Sequence, residues 1–448
     1  MGKKYPRGPK GNFFLGSLGT IRQDFLGFLS DASAKYGDIF YFRLGPRKIY
    51  VVNNPELIHS VLVKQMRIVG RARFFTKLVG RLLGKGLVTS EGDFHRQQRR
   101  LIQPAFYHDR LIVYADVMTA LTENLISTWQ NRDELNLTDE MTQLSMAIIS
   151  KTLFDADPAN EGAQVGKAIR GLQGLAVEAL TDLIVWPTWF PTKRNRKYHE
   201  YRKTIDTLVL KFIQDRRKTK NSVKDVLSIL LAENGEAGLH GMSDRQIRDE
   251  VVTLFSAGYE TTANAIVWAF YLLSQNPTVE EKLHRELDAN LNGHKVVFSD
   301  LENLPYTEMV IKETLRLYPT SWSMGLRSPL SPMEIGGYKI NPGSLIWIVP
   351  YILHRKSEYF TNPDEFIPER FEKESEKSLP RFAYLPFGGG HHICIGNAYA
   401  TIEASIIFAT IARRYRLKVS RELVLEIKPE ITLNIRNGLR VQLEARKT

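Results

Sequence analysis

The sequence predicts a mainly α-helical chain with a small β region, on three observations. Apolar residues recur at helical spacing from Pro55 to Lys64 and repeatedly from Asp109 to about Tyr318. β-Branched and aromatic runs are confined to two places, near 39–52 and near 334–351. No Gly/Ser linker, internal repeat or low-complexity segment divides the 448 residues. Strands near both ends with helices between them suggest one interwoven domain over residues 1–448 rather than two independent units.

In the first β region, IFYFRLGPRKIYVV (39–52) reads as two strands around a Gly45-Pro46 turn. The second, from Glu334 to Tyr351, reads as two runs separated by the turn Asn341-Pro342-Gly343. The best-defined helix starts at Ser243, where Ser243-Asp244-Arg245-Gln246 fits a capping box. Apolar or small residues then recur at spacings of three or four, through Ile247, Val251, Leu254, Gly258, Thr262, Ile266 and Leu273, until Asn276-Pro277 stops the pattern. A helix of that extent measures roughly 50 Å. From Leu254 to Tyr271 its only charge is Glu260, which predicts burial. A second helix is predicted over Ala398–Arg413.

Composition narrows the chemistry. With 43% hydrophobic and 25% charged residues the chain can build a large core, so a disordered or membrane-embedded protein is excluded. Lys and Arg total 61 against 49 acidic residues, a net charge of +12. The one cysteine, Cys394, excludes an intrachain disulfide, a CxxC redox pair, a Cys-rich zinc site and a Cys-held iron–sulfur cluster. No signal-peptide pattern follows the basic N-terminus, and the longest helical apolar stretch, Ile406–Ala412, falls far short of the roughly 20 residues that span a bilayer. The expectation is a soluble, cytoplasmic protein. Its positive runs are not interleaved with aromatic residues, which argues against nucleic acid as a partner.

Four segments carry candidate chemistry. Ala257-Gly258-Tyr259-Glu260-Thr261-Thr262 places an acid and an alcohol in mid-helix. Gly258 weakens the helix there, and a Thr hydroxyl can bond back to the carbonyl four residues earlier. Together these predict a local opening of the helix, although a Gly/Ala packing notch beside a solvated Glu fits the same residues. The second segment is Phe387-Gly388-Gly389-Gly390-His391-His392-Ile393-Cys394-Ile395-Gly396. A lone Cys is commonly an inert buried hydrophobe. Here three glycines allow close backbone approach, and a following helix N-terminus favours thiolate over thiol. The thiolate could be a nucleophile, with His391 and His392 nearby, or a metal ligand. Ligand fits better, because adjacent histidines are poorly placed to act as base and orienter together. Glu313 and Arg316 share a helix face at i, i+3, worth only a few tenths of a kcal/mol if exposed. Arg370 lies in Pro368-Glu369-Arg370-Phe371, and Gly92–Arg100 opens a basic helix.

In this order the segments resemble the cytochrome P450 superfamily of haem-thiolate monooxygenases. AGYETT is similar to its oxygen-activating helix, Glu313 and Arg316 to its ExxR pair, PERF to its PERF segment, and Phe387, Gly390, Cys394 and Gly396 to its cysteine signature. The resemblance covers nearly the whole chain, from Pro6-Arg7-Gly8-Pro9 onward. It implies the P450 fold, with one haem b (iron protoporphyrin IX) buried between a long central helix and the cysteine-loop helix. Cys394 would be the iron's ligand, its thiolate pushing electron density toward O–O cleavage. Thr261 would hold dioxygen and relay protons, with Glu260 feeding the relay. Phe387, Gly388, Ala257, Gly258 and Gly396 would lie against the haem. Its propionates would take Arg99, Arg327, His95 and His392. His392 stands where many members have Arg and His95 where many have Trp, so haem affinity would depend on pH more than in Arg-bearing relatives. Glu313, Arg316 and Arg370 would brace the cysteine loop without touching the chemistry.

The resemblance further implies insertion of one oxygen atom from O2 into an apolar substrate, by hydroxylation or epoxidation. Substrate contacts would fall at Phe74–Gly86, near Leu172–Leu183, at Ala257 and at Ser321–Gly325, notably Phe74, Phe75, Leu78, Trp322 and Met324. With no flavin or nicotinamide site recognisable, electrons would come from a separate ferredoxin or flavodoxin with its NAD(P)H reductase. The basic run Arg96–Arg100 would steer that acidic carrier. A peroxygenase, an isomerase or a non-catalytic haem sensor are the alternatives within this resemblance. A Cys–His hydrolase using Cys394 and His391 is the alternative outside it.

Overall fold

The structure, a computed structural model, describes residues 5–156, 158–181, 186–218, 225–231, 242–420 and 423–446. The chain forms two compact units, each assembled from separated stretches of sequence.

The first unit comprises Met1–Thr76, Lys312–Cys394 and Ile427–Asn434. Its main sheet has five strands in the order Ile39–Leu44, Arg47–Val52, Leu345–Trp347, Leu326–Pro329, Val69–Arg71. The first two are antiparallel with Leu44 opposite Arg47, so Gly45 and Pro46 alone make the turn, as the sequence predicts. Leu345–Trp347 lies parallel to Arg47–Val52, which joins the two distant β regions in one sheet. Residues Ile49–Val52 are all buried, and that is why they read as a continuous β-branched and aromatic run rather than an alternating one.

The second β region differs from the single pair of runs expected around Asn341–Gly343. Met333–Ile335 pairs instead with Tyr338–Ile340 as a separate two-stranded sheet. Its turn is Gly336-Gly337, with φ of 56° and 79°, the backbone that a two-residue hairpin turn requires. The Asn341–Gly343 turn then passes the chain to the five-stranded sheet. Tyr351, expected in a strand, lies in the short helix Pro350–Leu353, which Pro350 begins.

The second unit comprises Lys77–Ile311, Ile395–Glu426 and Ile435–Thr448. It is built on the long helix Asp244–Gln275, 32 residues and about 48 Å. Ser243 Oγ accepts from the Gln246 N–H and the Gln246 side chain accepts from the Ser243 N–H, the capping box read from sequence. The helix stops at Asn276, and Pro277 begins the next one. It packs on the helix Leu137–Phe154 and on the cysteine helix Asn397–Arg414, where Phe270 meets Phe408 with ring centroids 4.9 Å apart. A three-stranded sheet of Glu134–Asn136, Arg440–Ala445 and Tyr415–Val419 closes one end of the element order. Among the described residues no helix is long and apolar enough to cross a membrane.

Removing the cap tests how far local sequence holds the long helix. Ser243→Ala should cost about 1 kcal/mol, read from urea titration by far-UV circular dichroism. An unchanged midpoint would mean that packing alone fixes this helix end.

Candidate active site

The cysteine loop is folded by its own backbone. The Cys394 N–H donates to Phe387 O at 3.0 Å, Ile393 N–H to Gly390 O at 3.2 Å and Gly388 N–H to Leu385 O at 3.2 Å. The Cys394 N–H is therefore spent within the loop. Gly390 has φ 70°, and a Cβ there would lie 2.4 Å from Leu62 O in the π-helical turn Ser60–Lys64. Only glycine passes. Gly388, φ 74°, leaves Met324 Cε 3.2 Å from where its Cβ would be. Cys394 itself is exposed, which removes the reading of an inert core cysteine. Three residues later Asn397 opens the cysteine helix, one residue earlier than predicted.

Behind the loop lies a buried ionic cluster. Glu313 and Arg316 are fully buried, so the weak surface pair considered from sequence is not what forms. Arg316 Nε and Nη2 donate to the two Glu313 oxygens at 2.6 and 2.8 Å. Arg370 Nε donates to Glu313 Oε1 at 3.2 Å, and the Ile367 N–H to the same oxygen at 2.9 Å. Arg316 also donates to the carbonyls of His354, Pro363 and Glu365. Buried charges persist only when paired and hydrogen-bonded throughout, and this cluster meets that condition. The reach to the cysteine loop runs through His354, which sequence reasoning missed. Its Nε2 accepts from the Leu385 N–H at 2.8 Å, two residues before Phe387. Burial, and then the Arg316 charge, push His354 down to about 3. It is a neutral imidazole at any ordinary pH.

Arg327 is buried, and the strand register sets Arg71 directly opposite it. Two cations in cross-strand register repel. Arg71 Nη2 also lies 3.2 Å from His392 Nδ1. A guanidinium only donates, so Nδ1 is the acceptor and the His392 proton sits on Nε2, a donor. Arg71 was missed because its role depends on pairing with a strand far away in sequence. Three donors of this kind beside the cysteine loop fit a carboxylate-bearing group.

In the second unit the Asp244–Gln275 helix is almost wholly buried, but Ala257 is exposed and Gly258, Glu260 and Thr261 are half-buried. This open stripe of small and polar residues lies midway along a core helix. The predicted back-bonding is present: Thr261 Oγ1 donates to Ala257 O at 2.8 Å and Thr262 Oγ1 to Gly258 O at 3.2 Å. The predicted opening is not, since the helix runs unbroken through these residues. Each hydroxyl adds a bond to its carbonyl without displacing the turn. The packing-notch reading also holds in part, because a Cβ at Gly258 would lie 2.1 Å from Ile149 Cδ1. Glu260, by contrast, is not simply solvated: it accepts from Gln173 Nε2 at 3.0 Å.

A further missed acid is Glu403 on the cysteine helix. It faces the Ser145 and Thr262 hydroxyls, and burial pushes it up to about 8, so it is protonated at neutral pH. Its signal was a single acid in an otherwise apolar helix. On the helix Gly92–Ile102, His95 is buried and Arg99 half-buried, whereas Arg96 and Arg100 face solvent and Arg96 pairs with Asp93. Of the residues expected at substrate, Met324 borders Gly388, and Phe75 lies 3.3 Å from a Cβ built at Gly325. Trp322 is buried among Phe25 and Trp347, its indole N–H on Glu430 O. The side chains of Phe74 and Leu78, and residues 182–185, lie outside the described residues.

An exposed thiol on a braced loop, cations that call for carboxylates, and an open acid–alcohol stripe are what a haem-thiolate protein requires of its chain. The profile of the family Cytochrome P450 matches residues 6–439, and the chain belongs to that family. It is a haem-thiolate monooxygenase. It is 35% identical to cyclooctatin synthase of Streptomyces melanosporofaciens, over 91% of this chain and 89% of that protein. It is 37% identical to cyclooctat-9-en-7-ol 5-monooxygenase of the same organism, over 88% and 85%. Pentalenene oxygenase of Streptomyces avermitilis matches at 30% over 94% and 93%. The crystal structure of the cytochrome P450DA haem domain superposes with a TM-score of 0.90, over 100% of this chain and 99% of that one at 24% identity, and so shares the fold.

Glu313→Gln would leave the buried Arg316 and the half-buried Arg370 without their carboxylate. It should cost about 3–5 kcal/mol and lower the yield of haem-loaded protein, measured by denaturation and by haem absorbance per chain. His354 sets an acid limb. The unfolded imidazole takes up its proton near 6.5, the folded one only at about 3, so between those values the unfolded chain binds more protons. The stability is complete above pH 6.5 and drains away as pH falls. His354→Gln, whose amide oxygen can still accept from Leu385, should lose less thermal midpoint than wild type between pH 6.5 and 4.

Proposed function

We propose that the enzyme inserts one oxygen atom from O2 into a cyclic terpenoid, at one carbon of an apolar skeleton. The relatives support the substrate class, since three that match over most of the chain are named for a terpenoid or its oxidation. The side chains agree with it: Met324, Phe75 and Ala257 offer apolar contact and no charge to bind a polar group. The observation that carries the reaction type is the acid–alcohol pair. Thr261 and Glu260 stand together on the open stripe of the core helix, a proton-handling device that a peroxygenase, an isomerase or a sensor does not need.

Haem b, one per chain, would be held by Cys394, with Arg71, Arg327, His392, His95 and Arg99 donating to its propionates; when bound it supplies O2 reduction and oxygen transfer. The chain's residues do the rest. The glycine loop presents the Cys394 sulfur while its own N–H groups close the loop. Thr261 carries a hydroxyl whose hydrogen is directed to Ala257 O, leaving its oxygen lone pairs as acceptors on the stripe. Glu260, one residue away, holds or releases the proton. Glu313, Arg316, Arg370 and His354 fix the loop's height. The reaction consumes two electrons and two protons, and the second oxygen atom leaves as water. A ferredoxin or flavodoxin would bring the electrons in the cytoplasm, steered by exposed Arg96 and Arg100.

Reduction with carbon monoxide should give the red-shifted Soret band of a cysteinate–haem site, and Cys394→Ser should abolish it. Thr261→Ala should keep that band yet divert electrons to peroxide, lowering product per NAD(P)H by about tenfold or more. Unaltered product yield in Thr261→Ala would remove the acid–alcohol reading. Cyclic diterpene and sesquiterpene alcohols that leave the spectrum unchanged and are not oxidised, while fatty acids are, would overturn the substrate class.

A further inference from the structure

Two residues at the cysteine loop break local backbone rules, and each accounts for the other. Among the described residues, the non-glycine positions with positive φ are Asp155, Asn292, Asn362, Asn437 and Phe382. Asp and Asn tolerate that region, whereas a bulky Phe at φ 71° is a true outlier. Phe382 is the third residue of the turn Pro380–Ala383, closed by the Ala383 N–H on Pro380 O at 2.9 Å. With positive φ, that place normally falls to Gly or Asn. Gly389 is the reverse case. Its φ of −165° and ψ of 172° are extended and open to any residue. What Gly389 lacks is room: a Cβ there would lie 2.7 Å from Phe382 Cε1 and 3.2 Å from Cδ1.

The ring is seated on its other sides as well. It is 8% exposed, with the His59 ring centroid 5.2 Å away and the Arg381 guanidinium 5.5 Å from its own centroid. His59 leads into the π-helical turn Ser60–Lys64, whose Leu62 carbonyl crowds Gly390. One short segment therefore backs both the ring and the next residue of the loop. The Cys394 N–H closes that loop on Phe387 O, so Gly389 and Gly390 lie inside it and cannot shift without moving Cys394. Backbone strain of this kind persists only where the surroundings over-determine it, and it gathers at functional sites.

We propose that Phe382 is a positioning residue for the Cys394 sulfur. Its unfavourable backbone aims the ring at Gly389, and the ring holds the loop at a point that the His354 bond to Leu385 does not reach. Where the sulfur stands decides how strongly it donates to an iron, so a loop released at Gly389 alters both haem affinity and the ferric–ferrous balance. The assignment rests on Cys394 as the haem ligand.

The test uses the haem-loaded enzyme and its variants. Phe382→Gly suits the turn and removes the ring. Haem affinity, from titration of the apoprotein, should fall on the order of tenfold, as it does when other supports of a metal ligand are lost. The ferric–ferrous equilibrium, read by spectroelectrochemistry, should move on the order of tenfold, about 59 mV for one electron. Phe382→Tyr keeps the ring and should retain both wild-type values. Gly389→Ala, which its extended backbone permits, should shift the same equilibrium by pressing on the ring. In Phe382→Gly/Gly389→Ala the ring is gone, so the alanine should add little, the non-additivity of residues in contact. A merely structural role would lower thermal midpoints and leave the equilibrium where it was. An unmoved equilibrium in Gly389→Ala, or an alanine effect of equal size in both backgrounds, would overturn the inference, and the first of these can be read even where Phe382→Gly does not fold. A red-shifted carbon monoxide band that survives Cys394→Ser would instead overturn the ligand reading beneath it.

Discussion

A carboxylate with no access to water governs the first unit. Glu313 accepts from Arg316 twice, from Arg370 and from the Ile367 N–H, and Arg316 in turn holds three backbone carbonyls. Each of these groups is costly to bury alone and tolerable only as a set. The set thereby admits one arrangement of the segments around residues 354, 363–370 and 385. The cysteine loop inherits its position from that arrangement. Strength is not the point of such a cluster, since an apolar replacement could be as stable; what it supplies is a single permitted geometry for the thiol.

The core helix of the second unit solves a different problem. It must be buried to be rigid, yet it must expose chemistry at its midpoint. The solution is compositional: Ala257 and Gly258 thin the helix on one side, and the two threonines satisfy their hydroxyls on the helix's own carbonyls. The polar groups that remain are claimed from outside, Glu260 by Gln173 and the Thr262 side by protonated Glu403. Glu403 is closed off from water and neutral; Glu260 lies half-buried on the open stripe and accepts from the Gln173 amide.

Sequence similarity and structural similarity speak to different levels here. At 24% identity the superposition with the cytochrome P450DA haem domain establishes the shared fold. The family profile over residues 6–439 and the relatives at 30–37% identity show the haem-thiolate monooxygenase class. That division has a physical basis. Fold depends on apolar periodicity and on a few buried clusters such as Glu313–Arg316. Substrate choice depends on a handful of apolar side chains whose volume, rather than pattern, matters.

The sequence by itself determined whatever is encoded within a few residues. The Ser243 capping box, the Gly45-Pro46 turn, the bonds from Thr261 and Thr262 to carbonyls four residues back, and the helix after Cys394 all depend on neighbours at fixed spacing, and they formed as expected. The tertiary structure decided what depends on partners far along the chain. Gly336-Gly337, rather than Asn341–Gly343, turns the second hairpin, because strand pairing chooses among turns that are locally permitted. The core helix stays closed at Gly258 because packing against Ile149 and its neighbours outweighs a local propensity of about 1 kcal/mol. Arg71, Gln173, His354 and Glu403 are ordinary residues in sequence. Each acquires a role only when folding places it against Arg327, Glu260, Leu385 or Thr262, because hydrogen bonds and burial act through space at about 3 Å, whatever the distance along the chain.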